Sequence, residues 1–265
     1  MTTYTAPPDK TNLELDRGDV LDVHSGGTAT GTTIQFGGVA HVNGGATIDT
    51  TLRAFGVENV YDRGVADHTT IKRGGAQNIA SGGTANHTLL EGGNENIGRG
   101  GVTNGTIVFD GSENVNGGAS NDTIVNRDGV ERVTAGVANN TTIHGGVEEV
   151  THGVADNVIF SGSGSLLELR SPTNLQGTIS DWSVGDVIRF SNRDHIMSVH
   201  ESADNATLTV NYFDDDYGNR TVTYSLTGQQ ANTKIELRHD AHGGADLVLV
   251  SVTGIQALHH HHEIA

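Results

Sequence analysis

The chain has 265 residues, no cysteine, 37 glycines, three prolines and a formal net charge of −17. Its length allows one or two domains, and the lack of cysteine removes disulfide frameworks, Cys-ligated zinc and thiol catalysis. The acidic balance argues against nucleic acid and against a polybasic membrane-surface role, while 34% apolar and 5% aromatic residues leave little for a thick core.

The chain opens with MTTYTAPPDK, which lacks the basic and apolar regions of a secretory signal. Residues 1–17 are read as a lead-in or cap. No run of 18 apolar residues occurs, so no membrane-spanning helix is expected. Arg17-Gly18-Asp19 spells an integrin-type tripeptide, but Gly-Asp before a strand is also an ordinary turn, and we take the turn.

From residue 18 to residue 164 the sequence repeats. One glycine series runs Gly27, Gly45, Gly64, Gly83, Gly101, Gly118, Gly136, Gly153. A second runs Gly38, Gly56, Gly75, Gly93, Gly111, Gly129, Gly146, Gly164. The steps are 17 to 19 residues, so each unit has about 18 residues and two glycine turns. Between the turns lie two strand-like stretches. One carries Val23, Val42, Val60, Ile79, Ile97, Val115, Val133 and Val150. The other ends in Thr followed by Ile or Leu: Thr33-Ile34, Thr51-Leu52, Thr70-Ile71, Thr106-Ile107, Thr123-Ile124 and Thr142-Ile143.

Glycine tolerates the positive φ of tight corners, and Val, Ile and Thr suit pleated strands. One unit buries almost nothing, but stacked units at roughly 4.8 Å build a continuous narrow core. A helix would lose roughly 1 kcal/mol at each glycine. The spacing therefore predicts an all-β protein: a parallel β-helix (β-solenoid) of about eight 18-residue coils.

The stretches GGVENV, GGTANHTLLEGG and GGVANNTTI resemble the AIDA-type repeats of autotransporter and other bacterial surface adhesins. The resemblance covers roughly residues 18–164. It implies a parallel β-helix, surface display, adhesion and self-association, with heptose on Ser and Thr in some members.

After Gly164 the rhythm stops. Residues 165–256 alternate as strands, for example Asp186-Val187-Ile188-Arg189-Phe190 and Thr221-Val222-Thr223-Tyr224-Ser225-Leu226. They hold most of the aromatics, including Trp182, Phe190, Tyr212 and Tyr224. This part is read as a β-rich end module that covers the last coil, because an exposed coil end is an unpaired strand edge. Residues 257–265 form a tail, and its four histidines (259–262) are a tag remnant or native sequence.

Calcium is the one cofactor with candidate ligands. Gly117-Gly118-Ala119-Ser120-Asn121-Asp122 nearly matches a calcium nonapeptide, and the other reading of Asp122 is a plain corner. Asp214, Asp215 and Asp216 could bind calcium with Asn219, and the reading we favour is a solvated hairpin tip. The N-x-Thr sequences Asn86-His87-Thr88, Asn104-Gly105-Thr106, Asn121-Asp122-Thr123 and Asn140-Thr141-Thr142 are read as stacked polar ladders. A row of acids recurs at Glu58, Glu95, Glu113, Glu131 and Glu148, with Gln77 in the unit between the first two. It is read as outward and solubilising, with cation bridging as the second reading. His41, His68, His87, His144 and His152 are read as scattered, without a ligand pair.

No serine-hydrolase elbow, HExxH or phosphate loop is present, so no catalytic residue is assigned. The expected function is a non-catalytic structural or adhesive protein, extracellular or on the bacterial surface. Its expected partners are matching rods, or host and matrix glycans and surface proteins. A second expectation is a filament or layer subunit stacking head to tail through edges such as Leu21-Asp22-Val23. A third is a carbohydrate-active β-helix enzyme, which the scarcity of aromatics opposes.

Overall fold

A computed structural model describes residues 1–191, 195–239 and 244–252. These residues form an all-β solenoid of about ten turns with mostly parallel pairing. Residues paired from coil to coil lie 17 to 21 positions apart in the chain, as in Val130 with Val147 and Leu166 with Val187.

Each coil has three short strands and three corners, where the sequence reading had two of each. In one coil the walls are Val20–His24, Thr28–Thr30 and Thr33–Ile34. Two coils further they are Val57–Tyr61, Val65–Asp67 and Thr70–Lys72. The corner missed in the sequence lies between the second and third walls. Its residues are Gly31, Asp49, His68, His87, Gly105, Asp122, Asn140 and Asn157, all with positive φ. Asn, Asp and His reach the left-handed region by themselves, so this corner needs no glycine pair.

The first-wall column Val23, Val42, Val60, Ile79, Ile97, Val115, Val133, Val150 is in register and buried, as the repeat implied. On the third wall the inward column is Ile34, Leu52, Ile71, Leu90, Val108, Val125. Here two units had been aligned one residue out. Ile107 and Ile124 share a column with Thr33, Thr51 and Thr70, and Thr106 and Thr123 point inward instead. A slip of one residue exchanges the faces of a strand.

The first coil is built by Thr3–Ala6, Lys10–Thr11 and Glu14–Leu15, each parallel to a strand of the next coil. Leu21-Asp22-Val23 is therefore an interior strand, paired on both sides, and not an edge. The coils also continue beyond residue 164. Leu166–Leu169 pairs with Val147–Val150 and with Val187–Phe190. Antiparallel strands then cover this end: Ala245–Ser251 lies against Val187–Phe190, and Thr207–Asp214 pairs with Gly218–Thr227. Trp182 is fully buried there and stacks on Phe160 at 6.2 Å, while the Tyr224 hydroxyl donates to the Pro172 carbonyl at 2.6 Å. No helix among the described residues is long and apolar enough to cross a membrane. The tail with its histidine run lies outside the described residues.

Candidate functional site: outer ladders and a buried acid file

Strand alternation sorts the repeat into what a partner meets and what the core hides. In Val57–Tyr61 the buried residues are Glu58 and Val60, two apart and on one face. The acid row is thus internal. Glu58, Gln77, Glu95, Glu113, Glu131 and Glu148 are in register and fully buried, which overturns the outward, solubilising reading. The sequence did carry the signal, because each acid stands two positions before an inward Val or Ile.

Hydroxyls from the other two walls hold these acids. Thr103 Oγ1 donates to Glu113 Oε1 and Thr123 Oγ1 to its Oε2, both at 2.9 Å. Glu131 receives Ser120 at 2.6 Å and Thr141 at 2.8 Å. Gln77 Nε2 donates to Glu58 Oε2 at 2.7 Å. Where a hydroxyl column is interrupted, an oxygen is left bare. Glu95 receives Thr106 at 2.9 Å, but Ala85 occupies the second-wall place that Thr103 fills for Glu113, and Glu95 Oε1 has no partner. For Glu148 the equivalent places are Ala138 and Val158, and neither oxygen is hydrogen-bonded.

Burial disfavours charge on such groups. It raises the carboxyl of Glu95 to about 7 and pushes Glu113 and Glu148 well above the usual carboxylate range. Hydrogen bonds from Ser120 and Thr141 oppose the rise at Glu131. The file is fully buried and out of reach of a substrate, so its chemistry concerns stability.

The outer faces carry amide ladders. Asn78 donates to Asn59 and Asn96 to Asn78, both at 2.9 Å, and Asn114 donates to Asn96 at 3.1 Å. A second ladder links Asn104 to Asn86, Asn121 to Asn104 and Asn139 to Asn121 at 2.8–3.0 Å. The first ladder lies outside the N-x-Thr sequences, and the second is what they suggested, with Asn139 in place of Asn140 as its fourth member. Their threonines Thr88, Thr106 and Thr123 point into the core.

Asp122 lies on the left-handed corner column, where its Oδ1 accepts from Asn140 Nδ2 at 3.2 Å. Asp214 Oδ1 accepts the backbone N–H of Asp216 and of Tyr217, at 2.8 and 3.1 Å, which shapes the hairpin tip. Asn219 sits opposite Phe213 in that hairpin. Asp214, Asp215 and Asp216 also line an open cavity of about 290 Å³ with His152 and Arg170. Asp19 of the Arg-Gly-Asp tripeptide accepts the Thr2 N–H at 2.7 Å, in keeping with the turn reading.

Two exposed features escaped the sequence reading. Phe36 and Phe55, on consecutive coils, are 60% and 77% exposed and line an open groove with Arg17. His68 and His87 stack with ring centres 4.9 Å apart beside Asp67, so these two histidines are not scattered. Both features depend on which residues fall on the same corner of successive coils.

In-register walls, glycine-pinned corners and amide-laddered faces define a parallel β-solenoid. No family model and no curated protein matches the chain. Among solved structures, the chain is similar to a TibC-catalysed hyper-glycosylated fragment of TibA, residues 55–350. The TM-score is 0.54 at 28% identity, over 70% of this chain and 76% of that one.

Proposed function

We propose that this chain is a non-catalytic rod, displayed extracellularly or on a bacterial surface, that adheres and self-associates through its repetitive lateral faces. The observation that carries this reading is the in-register repetition of outer side chains, such as the two asparagine ladders. A weak contact made by one coil recurs on the next, and multivalency turns many weak contacts into firm attachment. The similarity to a hyper-glycosylated TibA fragment supports the same reading, as does the resemblance of the repeats to those of surface adhesins. If this rod is also glycosylated, the half-buried outward threonines Thr33, Thr51 and Thr70 are better acceptors than the buried Thr106 or Thr123. Phe36 and Phe55, with Arg17 beside them, offer a contact surface for glycans.

The test coats beads with the purified chain and measures bead clumping and retention on glycan and cell surfaces. Clumping or retention that falls in Phe36→Ser/Phe55→Ser supports the proposal, and beads that neither clump nor adhere sink it. A second reading is a head-to-tail filament. It rests on Thr3–Ala6, Lys10–Thr11 and Glu14–Leu15, which among the described residues pair on one side only. Electron microscopy across concentration separates the two, because end-stacked polymers are filaments one rod wide that lengthen with concentration whereas lateral association gives side-by-side bundles.

A further inference from the structure

The left-handed corner between the second and third walls brings three donors together that are dispersed in sequence. Asp67 ends its strand, and His68 follows at φ 56°. His87 occupies the same corner one coil on, at φ 54°. Coil stacking sets the imidazoles 4.9 Å apart at 21°. Asp67 Oδ1 lies 3.2 Å from His68 Nδ1 and 3.1 Å from His87 Nδ1. Two zinc ligands at about 2.0–2.1 Å in a tetrahedron are separated by about 3.3 Å, so these spacings suit one ion.

We propose that Asp67, His68 and His87 form a site for a divalent transition metal of the zinc class, with its remaining positions open to water. Two imidazoles and a carboxylate select borderline ions such as zinc, nickel and copper over magnesium or calcium. Each neutral ring offers Nδ1 to the ion as its Nε2–H tautomer, the proton moving from one ring nitrogen to the other. Both rings are more than half exposed, which leaves them free to turn their in-plane lone pairs toward the metal. Asp49 precedes His68 on the same corner and adds negative charge, and the overall charge of −17 draws cations to the rod.

The histidine run at residues 259–262 binds the same ions, so the full chain is first given His259→Ala, His260→Ala, His261→Ala and His262→Ala. Calorimetric titration of this parent with Zn²⁺ should show one saturable equivalent, and Co²⁺ should give the absorption of a nitrogen-ligated ion. His68→Asn and His87→Asn should each weaken binding by about tenfold or more. Asn140 and Asn157 already occupy this corner with positive φ, so asparagine suits the backbone there. His144→Asn, on another part of the outer surface, is the control and should bind as the parent does. A parent that takes up no Zn²⁺, or a His87→Asn variant that binds it as tightly as the parent, would overturn the site.

Discussion

Each buried glutamate of the file stands or falls by the two hydroxyls facing it. Glu113 and Glu131 have both, Glu95 has one, and Glu148 has neither. All of these carboxyls are raised by burial, so the folded state holds a proton that the unfolded chain gives up at lower pH. Their contribution to stability is complete below about pH 4.5, the ordinary value, and is lost as pH rises through the folded value, about 7 for Glu95. A shift of that size corresponds to a stability change on the order of 3 kcal/mol. Urea unfolding should therefore show a higher midpoint at pH 5 than at pH 8. Glu148→Leu removes two bare oxygens and extends the leucine place of Leu167 in the next coil. It should stabilise the protein at pH 8 by about 1–3 kcal/mol and narrow the gap between the two midpoints. An unchanged pH 8 midpoint would mean that Glu148 finds a partner in solution.

At the glycine-pair corners, the first and second glycine do different jobs, as Gly26 of one pair and Gly83 of another show. Gly26 has φ +80° and open space where a Cβ would stand. Gly83 has ordinary φ, but a Cβ there would overlap the Val60 carbonyl oxygen of the neighbouring coil. Gly26→Ala therefore meets only backbone strain, about 1–2 kcal/mol. Gly83→Ala must push two coils apart and should cost about 3 kcal/mol or more. Thermal melts of the two variants rank them directly, and equal losses would show that corner conformation alone decides. The misaligned units at Ile107 and Ile124 make a related point. Thr followed by an apolar residue looks the same whether threonine or its neighbour faces inward, and only the stacking register separates the two cases.

Taken as a rod, the protein lets each coil touch chiefly its neighbours, so local damage should stay local. Leu90 is buried between Ile71 and Val108. Leu90→Ala should cost about 2–5 kcal/mol. Its loss of amide-exchange protection should concentrate in the adjoining coils and leave the end around Trp182 protected. Protection lost evenly along the chain would mean one cooperative unit. The same one-dimensional build gives the outer faces their length and repetition, on which the proposed adhesive role rests.

The period of about 18, the two glycine corners and the first-wall valine column were legible in the sequence, because each reflects a local demand of turn or pleat that recurs at a fixed interval. Alternation in Val57–Tyr61 also held the inward place of Glu58, though acidity made an outward reading attractive. The third corner, the continuation of the coils to Val187–Phe190, the pairing of His68 with His87 and the bare oxygens of Glu148 came from the folded structure. Each depends on which residues of different coils share a column, and insertions of one or two residues change that register without disturbing the local pattern.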